Sequence, residues 1–210
     1  MSYTSYVILD EKIAVMDTVD AGFKEEWLEN IREVLGEKTP DYLIVQHMEP
    51  DHSANIAAFV NEYPYAEIVA SRQAFAMMKN YFGNDYAERQ IIVGEGSTFT
   101  LGKHNLTFLT APMVHWPEVM VSYDTTDKIL FSADGFGTFG ALNGALFADE
   151  VDFERDYLDE ARRYYTNIVG KYGPQVQKVL TKASGLEIKL ICPLHGFVWR
   201  KDLGYLIEKY

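Results

Sequence analysis

At 210 residues, 48% hydrophobic and 14% aromatic, the chain is large enough for one substantial core, and no linker, repeat or low-complexity stretch divides residues 1–210, so a single domain is expected. A formal charge of −12 argues against nucleic acid and anionic membranes as partners. With neither a basic-then-apolar leader nor an apolar run of spanning length, a cytoplasmic location is expected, and the single cysteine excludes an internal disulfide.

Strand and helix periods alternate along the chain. Tyr6-Val7-Ile8-Leu9 and Ile13-Ala14-Val15-Met16-Asp17 read as a hairpin through Asp10-Glu11-Lys12, followed by an amphipathic helix over residues 23–35. Residues 41–46 read as a short buried strand and residues 51–59 as the opening of a helix, which leaves His47-Met48-Glu49-Pro50 as the turn between them. Strands at 67–70 and 90–93 flank a helix at 73–82, and hairpins follow at 98–109 and 119–132, the second turning at Asp124-Thr125-Thr126-Asp127. A long helical region at 153–183 is expected to break near Gly173-Pro174. Acidic runs such as Asp149-Glu150-Val151-Asp152 read as solvated faces, and a final apolar strand at 188–192 carries Cys192 as a buried thiol. The order suits an α/β fold, a four-layer αββα sandwich.

Four of the five histidines fall at strand ends or loops with carboxylates beside them. They are His47 and His52 in His47-Met48-Glu49-Pro50-Asp51-His52, His115 in Ala111-Pro112-Met113-Val114-His115-Trp116-Pro117, and His195 in Cys192-Pro193-Leu194-His195-Gly196. With Glu49, Asp51 and Asp134 (in Phe131-Ser132-Ala133-Asp134-Gly135) they supply four imidazoles and three carboxylates, a donor set suited to two divalent ions sharing one carboxylate. An extended turn lets His47 and Glu49 point together while Asp51 and His52 project from the helix start. Asp51 alone would read as a helix cap, and His104 sits in a hairpin turn where no chemistry is assigned.

The pattern His-x-Glu-x-Asp-His followed by distant His, Asp and His resembles the metallo-β-lactamase superfamily, specifically the diiron domain of the flavodiiron proteins, from about Tyr3 onward. The segments around His115-Trp116-Pro117-Glu118, Ser132-Ala133-Asp134-Gly135 and Pro193-Leu194-His195-Gly196 carry the likeness further. It implies His47, Glu49 and His115 on one iron, Asp51, His52 and His195 on the other, and Asp134 bridging. Zinc hydrolases of the superfamily have a histidine where this chain has Glu49; a carboxylate there favours iron, with zinc as a possible substitute. Tyr164, in the helix after Phe153, matches a place where relatives put a hydroxyl over the metals.

Flavodiiron chains continue into a flavin-bearing domain where this sequence ends, so no flavin is expected within it. The resulting expectation is a non-haem diiron protein that binds O2 as a peroxo adduct, an oxygen and iron sensor coupled to bacterial chemotaxis through a chemoreceptor, and a homodimer. The alternative is an O2 or NO reductase fed by a separate electron-donor protein. A metal-dependent hydrolase is a third reading, opposed by Glu49.

Overall fold

Ten short strands, most with every side chain buried on at least one face, sort into two five-stranded sheets. In the computed structural model, which describes residues 1–210, the first sheet runs β1 (Tyr6–Ile8), β2 (Ala14–Met16), β3 (Tyr42–Val45), β4 (Glu67–Ser71) and β5 (Gln90–Val93) in spatial order. β1 is antiparallel to β2 and the remaining pairs are parallel. Parallel neighbours need crossovers. These are α1 (Lys24–Leu35), then α2 (Pro50–Ser53) with α3 (Ile56–Glu62), then α4 (Arg72–Phe82).

The second sheet has the order β10 (Leu190–Cys192), β9 (Ile129–Phe131), β8 (Met120–Asp124), β7 (Asn105–Thr110) and β6 (Thr98–Thr100). Only β9 and β10 are parallel, and the helices α5 (Phe153–Asp156), α6 (Leu158–Ile168) and α7 (Gly173–Ala183) fill the connection between them. A last helix, α8 (Leu203–Lys209), follows the sheet.

Strand alternation divides the apolar side chains among three layers. In the middle, Ala14, Met16, Ile44 and Val69 of the first sheet meet Leu106, Phe108, Met120, Phe131 and Cys192 of the second. Val15, Leu43, Val45, Ile68 and Ala70 point the other way, onto Trp27, Leu28, Ile31, Phe59, Phe75 and Met78 of the helices. Val121, Tyr123, Leu130 and Ile191 do the same beneath Leu158, Val176 and Leu206. This is the αββα sandwich expected from the sequence. Burial raises the Cys192 thiol to about 12, which makes it a packing residue rather than a nucleophile.

Two helix boundaries differ from the sequence reading. The helix expected across residues 51–59 is split after Ser53 because the His52 carbonyl is taken by Thr18, whose N and Oγ1 both donate to it at 2.9 Å. Asn55 completes the break by donating its side-chain amide to the Val19 carbonyl at 2.7 Å. The region at 153–183 breaks at Tyr157, which was not expected, and again at the turn Gly170–Tyr172, beside Gly173-Pro174 as expected. Pro174 lies in the first turn of α7, where a missing N–H deprives the helix of nothing. The short helix α8 was not expected at all. No helix is long and apolar enough to cross a membrane.

Candidate metal centre

The C-terminal ends of β7, β9 and β10 lie along one edge of the second sheet, because β7 and β9 are each antiparallel to β8 and β10 is parallel to β9. His115, Asp134 and His195 sit in the loops leaving those ends. A hydrogen bond from Met120 N to the Gln46 carbonyl, 3.2 Å, brings the end of β3 to the same edge. There His47 and Glu49 lie in the turn that leaves β3, Glu49 with φ −58° and ψ 141°, and Asp51 and His52 belong to α2. Ala133, just before Asp134, has φ 49°, a left-handed conformation that turns the Asp134 carboxylate inward.

All seven residues singled out in the sequence converge, in two groups. Nε2 of His115 lies 2.9 Å from Glu49 Oε2 and 3.2 Å from Asp134 Oδ2, while Nε2 of His47 is 3.4 Å and 3.5 Å from the same two atoms. In the second group, Nε2 of His52 is 3.2 Å from Asp134 Oδ1 and Nε2 of His195 is 3.4 Å from Asp51 Oδ2. Asp134 therefore presents one oxygen to each group. The His52 and His195 Nε2 atoms face each other at 3.0 Å.

The orienting hydrogen bonds come from residues not singled out before. Glu118 accepts from His47 Nδ1 at 2.9 Å and from Met48 N at 2.8 Å, so the His47 proton sits on Nδ1 and Nε2 is left to the centre. The Ser2 carbonyl accepts from His195 Nδ1 at 2.7 Å, with the same result. Asp17, with φ 55°, accepts from Gln46 N, Gln46 Nε2 and His47 N at 2.7, 2.9 and 3.2 Å and anchors the start of the turn. A buried carboxylate three residues after His115, and another closing the β2 run, were the available sequence signals.

Protonated imidazoles balance the carboxylates in the metal-free protein. Burial raises the Asp134 carboxyl, but His47, His115 and His52 pull it well below the usual range, and Glu49 is held at about 2 against burial by His115 and His47. Burial lowers the imidazoles of His47, His115 and His195, yet the facing carboxylates raise all three, His115 to about 9. Even so, His47 Nε2, Asp51 Oδ1, His52 Nδ1 and Asp134 Oδ1 are buried without a hydrogen-bond partner. Orphaned donors and acceptors of this kind are costly, and a cation in each group would satisfy the inward-facing ones. The donor set fits two metals.

Exposure is uneven across the centre, with the Asp51 and His115 side chains 17% and 12% exposed. The Glu49 side chain is 30% exposed, whereas His47, His52 and Asp134 are sealed in. The Trp116 ring covers part of the rim, edge-on to His47 at 5.5 Å between centroids. Tyr164 is fully buried, its ring 5.7 Å from that of His195, and its hydroxyl donates to the Asp134 carbonyl at 3.2 Å. His104 is paired with Asp124 at 2.8 Å, and Asp124 also accepts from Thr126 N and Asp127 N. That third cluster closes a turn.

Residues 1–196 match the family described as ODP family beta lactamase. The chain belongs to that family. Among curated proteins, this ODP-family chain is similar to the nitric oxide reductase of Moorella thermoacetica, 37% identical over 212 residues, covering 100% of the chain and 52% of the relative. It is also similar to the rubredoxin-oxygen oxidoreductase of Megalodesulfovibrio gigas, 34% identical over 215 residues, again 100% of the chain and 52% of the relative. The crystal structure of the flavodiiron protein from Giardia intestinalis superimposes with a TM-score of 0.93 at 34% identity, over 99% of this chain and 50% of that one. The chain thus spans about half the length of the relatives it matches, as flavodiiron resemblance implied.

Proposed function

We propose that residues 1–210 form the metal-binding domain of a cytoplasmic O2- or NO-reducing oxidoreductase, with His47, Glu49 and His115 on one iron, Asp51, His52 and His195 on the other, and Asp134 shared. The observation that carries this reading is the placement of the two Asp134 oxygens, 3.2 Å from His115 on one side and 3.2 Å from His52 on the other. Bound iron would supply electrons to a diatomic ligand, a task for which mixed carboxylate and imidazole donors are suited.

The chain's own residues do the rest. Glu118 and Ser2 hold the His47 and His195 rings in the tautomer that turns Nε2 inward. His47, His52 and Asp134 are shielded from bulk water, and the part-exposed Glu49, Asp51 and His115 side chains mark where a small ligand and an electron donor would approach. Tyr164 steadies the Asp134 backbone; its single hydroxyl proton is committed to that carbonyl, which makes it a positioning residue first and a donor to bound ligand only if that bond breaks.

Relatives named for reduction of nitric oxide and of oxygen favour turnover over the sensing role expected first. The test is anaerobic loading with ferrous iron, metal analysis, and addition of O2 or NO with a reduced rubredoxin or flavoprotein. Two irons per chain and gas consumption that depends on the donor are expected. A diferrous protein that neither oxidises with O2 nor reacts with NO would sink the proposal. Zinc takes the same donors without redox chemistry and gives the inactive control.

A further inference from the structure

The two proposed metal positions are held in different ways. Glu118, which orients His47, sits two residues before β8, and its side chain is fully buried. The acceptor that orients His195 comes from the first residues of the chain, 193 positions away. Those residues lie along the loop that follows β10. Gly196 N donates to Ser2 Oγ at 2.8 Å, Thr4 N donates to the Leu194 carbonyl at 2.9 Å, and the Tyr6 hydroxyl donates to the Pro193 carbonyl at 2.6 Å. The Tyr3 ring stands edge-on to His195 with centroids 5.7 Å apart. Residues 193–196 thus each meet residues 2–6.

The geometry points to the segment Ser2 to Tyr6 as a positioning strap for His195, whose docking and the filling of the Asp51–His52–His195 position are one coupled event. The inference rests on the reading that this position holds a metal. Without the Ser2 carbonyl the His195 ring has no acceptor for Nδ1–H, so neither its tautomer nor its rotation is set. Linkage is reciprocal: if the strap favours metal, metal favours the docked strap by the same factor. The Asp51–His52–His195 position is therefore the one that weakens when the strap is loosened.

Zinc alone serves as the probe, in competition with a chromophoric chelator. The double variant S2G/T4P removes the hydroxyl that caps Gly196 and the Thr4 donor. It is expected to bind the second zinc about 10- to 100-fold more weakly, the range seen when a ligand loses its orienting partner, while the first is nearly unchanged. Ser2→Thr keeps the hydroxyl and should bind as the parent does. In the unaltered protein, zinc should slow amide hydrogen exchange at Thr4 and Gly196. Parent-like affinity in the double variant, equal weakening of both positions, or Thr4 exchange indifferent to zinc would overturn the strap. If the double variant does not fold, the exchange measurement decides alone. A parent that binds no second zinc would instead refute the metal reading.

Discussion

Glu118 Oε1 lies 2.9 Å from His47 Nδ1, and both side chains are fully buried. Its partners there are the His47 imidazole and the Met48 N–H. Glu118→Ala should lower affinity for the metal at His47 about 10- to 100-fold, whereas Glu118→Gln keeps an acceptor oxygen and should fall between that variant and the parent. Competitive titration with zinc measures both.

Asp134 is the one residue whose loss should affect both metals. Asp134→Ala should drop tightly held metal below two per chain, and His104→Ala, which breaks only the turn pair with Asp124, should leave it unchanged. Elemental analysis after dialysis reads the difference.

The pH dependence of the metal-free protein follows from the sign of the shifts. His47, His115 and His195 are raised above the ordinary 6.5, so their contribution is complete below about pH 6.5 and is lost as pH rises through their folded values, about 9 for His115. Glu49 and Asp134 act oppositely: their contribution is present above the ordinary carboxylate range and is lost as pH falls toward 2. Metal competes with protons for the same atoms, so its stabilisation grows with pH. Between pH 6.5 and 9 the Tm of the metal-free protein should fall, and the gap to the loaded protein should widen.

Asp17→Ala should cost on the order of 3 kcal/mol, because three buried donors lose their acceptor at roughly 1–3 kcal/mol each, partly offset by relaxation. Asp17→Asn should stay within about 1 kcal/mol of the parent. It keeps an oxygen for the two backbone donors, and the buried Gln46 Oε1, now without a partner, can turn to accept from the new amide. It also lacks a carboxyl that burial raises to about 6. Urea denaturation separates the two.

Tyr164→Phe should cost about 1 kcal/mol, one hydrogen bond, with metal content intact. Gly137→Ala should cost about 1–3 kcal/mol by overpacking, since its new Cβ would lie 2.5 Å from Tyr164 Cζ. If Tyr164→Phe released metal, the hydroxyl would matter to Asp134 more than its geometry indicates.

The layered fold and the seven converging donors were legible because both are written locally. Alternation within four- to six-residue runs places strands, and His47 to His52 crowd into one turn. What was hidden depends on distant partners. Nothing near Glu118 in sequence announces His47, 71 positions back, and nothing near Ser2 announces His195. The helix break after Ser53 is likewise imposed by Thr18, 34 positions before the carbonyl it captures. The break beside Pro174 was legible because it too is local: a proline marks a helix start as readily as an interruption.

Every strand of the first sheet ends by Val93 and every strand of the second begins at Thr98 or later, yet the donors are divided between them: His47, Glu49, Asp51 and His52 before the join, His115, Asp134 and His195 after it. The centre is a seam between two contiguous halves of one polypeptide. A backbone cut in residues 94–97 would turn metal uptake into an association between two fragments, with an apparent affinity that depends on fragment concentration. Divalent ions would then reinforce, across a heterodimer, the apolar layer that the two fragments share.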